Sequence, residues 1–195
     1  MPRRPTRTVP TVIVHGWQGN SADHWQTWLA DRLTEAGRIV RYPTLPDPDI
    51  PQPAAWLDAL DFTLNGLPDD SFDVVCHSFG VLLWLHHVHS GGGPRPARVA
   101  LVAPPSPRTP VPELAPFLPP PLEIDLVRHA SDGTVLVAGD DDPYCPEGAA
   151  TAYGRPLKMP TTVIPDGGHL NLEAGYGPWP AMLDWCGRDN LAFIA

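Results

Sequence analysis

Six short runs rich in β-branched and other apolar residues punctuate the chain: Thr11–Val14, Arg38–Tyr42, Phe72–Cys76, Arg98–Ala103, Thr134–Ala138 and Thr161–Ile164. Each is too short for a helix and reads as a strand. Between them apolar residues recur every three or four positions. Ala22 to Ala36 carries Trp25, Trp28, Leu29 and Leu33 on one face and stops at Gly37, while Ala54 to Leu67 carries Trp56, Leu57, Leu60 and Leu64. Phe79 to His89 is apolar almost throughout, Pro146 to Tyr153 predicts a short helix, and Trp179 to Cys186 a closing one.

Strand and helix alternate, which calls for a mostly parallel, doubly wound sheet of about six strands with helices on both faces. A chain of 195 residues is long enough for one well-cored domain and short for two. Residues 1–195 are therefore read as one domain. The 27 prolines collect in connections, above all at 43–53 and 104–121, so they describe stiff loops around a regular core. The second of these segments follows the fourth strand and reads as a short lid or connection.

A net charge of −9 argues against nucleic acid or an anionic membrane as partner, because phosphate binding needs a basic face. The cysteines Cys76, Cys145 and Cys186 are scattered and odd in number, which fits reduced thiols in the cytoplasm. Met1-Pro2-Arg3-Arg4-Pro5 runs into the first strand without the apolar stretch of a signal peptide, and no apolar run approaches a bilayer span.

Chemistry in such sheets sits beyond the carboxyl ends of the strands. After the first strand comes His15-Gly16-Trp17-Gln18-Gly19-Asn20, and after the third Ser78-Phe79-Gly80. The fifth is followed by Asp140-Asp141-Asp142-Pro143-Tyr144, the sixth by Gly167-Gly168-His169-Leu170-Asn171. A serine between a strand end and a helix start is where a nucleophile elbow forms, although Cys76 stands where the G-x-S-x-G pattern has its first glycine. Hydroxyl, carboxylate and imidazole follow in the order Ser…Asp…His, each at the end of a different strand. In that arrangement His169 takes the Ser78 proton, a carboxylate holds its other nitrogen, and the backbone N–H groups of Trp17 and Phe79 hold an oxyanion. Asp142, fixed in an extended conformation by Pro143, is the preferred acid; Asp141 comes next and Asp140 last. Tyr144, Leu170, Trp179 and Phe117 lie where they could line a substrate pocket.

These residues carry a resemblance. His15-Gly16-Trp17-Gln18-Gly19 with His24-Trp25, His77-Ser78-Phe79-Gly80, Asp141-Asp142-Pro143-Tyr144, Gly168-His169-Leu170-Asn171 and Gly175-Tyr176-Gly177-Pro178-Trp179-Pro180 span nearly the whole chain. Together they resemble the small serine hydrolases typified by retinoblastoma-binding protein nine, and more closely their YdeN-like bacterial branch. The resemblance implies a compact α/β-hydrolase fold, a triad of Ser78, Asp142 and His169, and cytoplasmic carboxylesterase-type activity. The leading reading is a serine hydrolase acting on a small ester or acyl substrate through an acyl-enzyme on Ser78, with no cofactor. Relatives carry Gly or Ala at position 76. The Leu-x-Cys-x-Glu motif tied to retinoblastoma-protein binding is absent, so no protein partner carries over.

Plainer readings stand beside these. Ser78 could only cap a helix. The aspartate run could be a solvated turn or a metal site shared with histidines. His15 and His24 could brace the oxyanion loop or simply fill the structure. His77 reads as a wall of the elbow, Cys76 as inert packing, and His86, His87 and His89 as a polar helix face. The competing function is a catalytically weak or inactive α/β-hydrolase-fold binding protein whose elbow Cys76 has spoiled; a metal-dependent hydrolase is third.

Overall fold

The computed structural model describes residues 8–194, so the arginine-bearing start on which the signal-peptide reading rests lies outside the described residues. Six strands pair in parallel: β1 (Thr11–Val14), β2 (Val40–Arg41), β3 (Asp73–His77), β4 (Arg98–Val102), β5 (Gly133–Gly139) and β6 (Thr161–Ile164). Their order across the sheet is β2-β1-β3-β4-β5-β6, with the chain reversing direction of travel beside β1 and β3. Both neighbours of that switch point carry candidate-site loops at their carboxyl ends, where open α/β sheets generally bind ligands.

Strand periodicity divides the core in two. Val12, Val14, Val74, Cys76, Val99, Leu101, Leu136 and Ala138 face one side, where α2 (Pro53–Leu64) and α3 (Phe79–His89) supply Trp56, Leu60, Phe79 and Leu82. Ile13, Val75, Ala100, Val102, Val135 and Val137 face the other, against Trp25, Leu29 and Leu33 of α1 (Trp25–Glu35) and Met182 and Trp185 of α6 (Pro180–Gly187). Every residue of β1, β3 and β4 is buried, which explains why these strands read as unbroken apolar runs rather than alternating ones.

Boundaries move where side chains compete for the backbone. The second strand is expected over Arg38–Tyr42 but pairs only at Val40–Arg41, on the edge of the sheet. Arg38 instead turns its guanidinium inward to the carbonyls of Val9 and Cys186 and to Thr11 Oγ1. α1 starts at Trp25 and not Ala22, because His24 caps it: the Gln26 N–H donates to His24 Nδ1 at 3.2 Å. The short helix expected over Pro146–Tyr153 lies further on, as a π-turn at Ala150–Gly154 running into α5 (Arg155–Leu157). One further helix, α4 (Ile124–His129), has a single buried side chain, Val127, too little for a periodic signal. The proline-rich segment 104–121 holds a 3₁₀ turn, Pro112–Phe117, that buries Leu114 and Phe117.

Beneath the sheet, Asp73 at the start of β3 and Arg98 at the start of β4 form a buried bidentate pair, with contacts of 2.6 and 3.2 Å. Arg98 also donates to the carbonyls of Trp185, Arg188 and Asn190 and lies 4.2 Å from the Trp185 ring. One guanidinium thereby ties the last helix and the segment after it to the middle of the sheet. No helix among the described residues is long and apolar enough to cross a membrane.

Candidate functional site

Ser78 sits between β3 and α3 with φ 53° and ψ −121°, a conformation that L-residues avoid and that a sharp strand-to-helix turn imposes. Its N–H donates to the Val102 carbonyl of β4 at 2.8 Å, which holds the turn against the sheet. It stands at the helix N-cap position yet makes no side-chain cap bond. Its hydroxyl lies instead 2.8 Å from His169 Nε2, which sets aside the reading of Ser78 as a mere cap.

The turn needs small residues, but not equally. A Cβ on Gly80 would lie 2.6 Å from the His15 carbonyl oxygen and 2.7 Å from that of Val14, and one on Gly16 would lie 2.9 Å from Ser78 Cβ. The loop after β1 and the start of α3 therefore come this close because neither Gly16 nor Gly80 carries a side chain. Cys76 belongs to the apolar layer under α2 and α3, fully buried, and burial pushes its thiol well above the usual range. It packs, and the turn above it keeps its shape.

His169 follows β6 on a loop that three aspartates hold down. Asp140 Oδ1 accepts the Asp166 N–H at 2.9 Å, and Asp141 Oδ1 accepts the Gly168 N–H at 2.6 Å. Asp142, 4% exposed, places Oδ2 2.8 Å from His169 Nδ1, while its Oδ1 accepts the Tyr144 N–H at 2.8 Å. Asp142 is thus the carboxylate on the imidazole, and the other two bind backbone. A fourth tie comes from His77, whose Nε2 donates to the His169 carbonyl at 3.0 Å. The His169 loop can approach β5 this closely only because residue 139 is glycine: a Cβ there would stand 2.2 Å from the Gly168 oxygen.

The loop carrying Trp17 is anchored from outside. The Trp17 indole donates to the Asp49 carbonyl and the Gln18 N–H to that of Pro48, both at 2.9 Å. His15 braces it from below, donating from Nδ1 to the Gly16 carbonyl at 2.7 Å and accepting the Leu45 N–H at Nε2. A Cβ on Gly16 would come within 3.3 Å of the Phe79 nitrogen, so this loop and the first turn of α3 border one space. That space is a cleft of about 230 Å³, below the usual range for ligand pockets, and it contains Ser78, His169, Trp17 and Phe79.

Of the four residues expected to line a pocket, Tyr144 does so, its ring 4.5 Å from that of His169. The other three are corrected to core. Leu170 is fully buried and gives its carbonyl to the Trp25 indole. Trp179 packs edge-on against Trp25, and Phe117 is wedged between Trp56 and Phe79. Their wall is supplied by Pro105, Thr109, Val111 and Leu114 of the proline-rich segment. That segment is fastened near both ends, by the Tyr153 hydroxyl on the Pro105 carbonyl and His86 Nε2 on that of Phe117. His24, Asn171 and Glu173 also border the cleft. Only the position of these residues in strand-end loops hinted at it.

His15, His24 and His77 are all buried here, and burial lowers each of their pKa values, His77 far below the ordinary range. For His24 burial, with the neighbouring charges of His169 and His15, brings it to about 4. The unfolded chain takes up these protons near pH 6.5, while the folded protein refuses them until lower pH. Stability is therefore complete above about pH 6.5 and drains as pH falls toward 4. Replacing His24 with Asn, which can still cap α1, is expected to return about 3 kcal/mol of that acid loss. Urea titrations of both proteins from pH 7.5 to 4 measure it, and parallel curves would refute it.

The three histidines of α3 disperse: His86 to the Phe117 carbonyl, His87 to Asp61 at 2.8 Å, His89 to Glu123 at 2.6 Å. With the aspartate run spent on the His169 loop, no group of three or more His, Cys, Asp or Glu side chains among the described residues is arranged to hold a metal ion.

Residues 11–187 match the family profile described as serine hydrolase. The YdeN protein of Bacillus subtilis strain 168 is 24% identical over 184 residues, 91% of this chain and 94% of that one. Its crystal structure superposes with a TM-score of 0.80 at 23% identity, covering 91% of this chain and 96% of that chain. A YdeN-like protein from Pectobacterium atrosepticum follows at 0.69 and 22%, covering 91% and 88%. The esterase domain of a Rhodothermus marinus protein is similar at 0.58 and 16%, covering 91% and 85%. At these identities the structural likenesses establish the α/β-hydrolase fold.

Proposed function

Because the chain belongs to the serine hydrolase family, we propose that Ser78, His169 and Asp142 form a catalytic triad that cleaves small carboxylic esters through an acyl-enzyme. The observation that carries this reading is the unbroken chain from Ser78 Oγ to His169 Nε2 and from His169 Nδ1 to Asp142 Oδ2, both links 2.8 Å, ending on a serine held at positive φ.

His169 accepts the Ser78 proton as Oγ bonds to the ester carbonyl carbon, and Asp142 stabilises the imidazolium. The oxyanion rests against the Trp17 and Phe79 N–H groups. Collapse breaks the bond to the alcohol, which leaves with the His169 proton. A water then loses its proton to His169 and attacks the acyl carbon, releasing the acid and restoring Ser78. The small cleft supports small substrates, and the esterase named among the structural neighbours supports esters. A cytoplasmic location belongs to the same proposal, supported by Cys76 and Cys145, two buried free thiols. An inactive binding protein finds no support at Cys76, which lies in the core beneath an intact turn.

A fluorophosphonate probe is expected to label the wild-type protein on Ser78 and to leave Ser78→Ala unlabelled, as read by intact-mass and peptide mass spectrometry. Labelling that persists in Ser78→Ala would sink the assignment.

A further inference from the structure

Two imidazoles beside Ser78 take no part in this chemistry. His24 and His77 both border the cleft with ring centroids 5.1 Å apart, and they are only 6% and 4% exposed. Each spends one ring nitrogen on the fold, and that bond sets its tautomer. A backbone N–H donates to His24 Nδ1, so the proton of the neutral ring sits on Nε2. His77 Nε2 faces a carbonyl, which can only accept, so its proton is there and Nδ1 keeps a lone pair.

The two remaining nitrogens, His24 Nε2 and His77 Nδ1, have no hydrogen-bond partner among the described residues. Among those residues no sealed side-chain nitrogen or oxygen is left unpartnered, so both nitrogens reach open space, and the space these rings border is the cleft. One is a donor and the other an acceptor.

We propose that His24 Nε2–H and His77 Nδ1 together bind a hydroxyl on the acyl part of the substrate, the first donating to its oxygen and the second accepting its proton. This rests on the hydrolase reading above and names the substrate class as short hydroxyacyl esters. A hydroxyl oxygen about 2.8 Å from each nitrogen, donating and accepting at a roughly tetrahedral angle, bridges a gap of about 4.6 Å. A carboxylate would meet the His77 lone pair, and an ammonium would meet the His24 N–H. Among the described residues no Lys or Arg lines the cleft to favour an anion. A plain alkyl chain would cover both nitrogens and leave them unpaired, the situation in which polar pockets discriminate most strongly.

The acyl part is the one concerned because the leaving alcohol takes its proton from His169. A second recess beyond that ring, lined by Asp141, Pro143, Gly168 and Glu173, contains neither His24 nor His77.

The test compares kcat/KM for the 4-nitrophenyl esters of butyrate, 2-hydroxybutyrate and 3-hydroxybutyrate, each divided by its uncatalysed rate. Wild type is expected to favour one hydroxy ester over butyrate by about tenfold or more. His24→Asn keeps an acceptor for the Gln26 N–H but lacks the outer donor, and the ratio is expected to fall about tenfold. His24→Gln, whose amide N–H reaches the Nε2 position, retains most of it and guards against a fold defect, with melting curves on both variants. No hydroxy preference in wild type, or equal loss on all three esters in His24→Asn, overturns the proposal while leaving the hydrolase reading in place. A wild type that turns over none of them and takes no fluorophosphonate overturns both.

Discussion

Ester hydrolysis by Ser78→Ala is expected to fall about 10⁴- to 10⁶-fold in kcat, with the fold intact and KM within a few-fold of wild type. The size follows from the geometry. The hydroxyl is the only group of the hydrogen-bonded chain that can form the acyl bond, and His169 and Asp142 act through it. What remains is stabilisation by the Trp17 and Phe79 N–H groups of a tetrahedral state formed by water, far slower than attack by an activated serine. Stopped-flow and long-incubation assays with 4-nitrophenyl butyrate cover the range. A loss below tenfold would mean that turnover arises elsewhere on the protein.

The second large effect concerns stability. Asp73→Ala is expected to cost about 3–5 kcal/mol, because it strands the Arg98 guanidinium in the core without its counter-charge. In a chain of this size that lowers the melting temperature by roughly 6–20 °C. The carbonyls of Trp185, Arg188 and Asn190 still accept from Arg98 but carry no full charge to neutralise it. Arg98→Met in the same background removes the stranded charge and is expected to recover part of the loss. Calorimetry of wild type and both variants checks this; an Asp73→Ala protein that melts with wild type would show that solvent reaches Arg98.

The same residues explain what could be read in advance. The central strands were legible because their apolar runs are buried on both faces, and Ser78, Asp142 and His169 because each follows the end of a strand. Gly80 is legible as a steric demand, and the structure gives its object, the carbonyls of Val14 and His15. The elements that sequence periodicity missed are those with little to repeat: α4, with one buried side chain, and the π-turn before α5.

Local pattern by itself determined the parallel sheet, the chain order of serine, aspartate and histidine, and the loops that carry them. These depend on spacing along the chain, and burial on both faces writes that spacing into the residues. Which aspartate meets His169, that Leu170, Trp179 and Phe117 are core, and that His24 and His77 border the cleft were decided only in three dimensions. Each depends on contacts between residues far apart in the chain, 27 positions for Asp142 and His169 and 91 for Ser78 and His169, where periodicity carries no information.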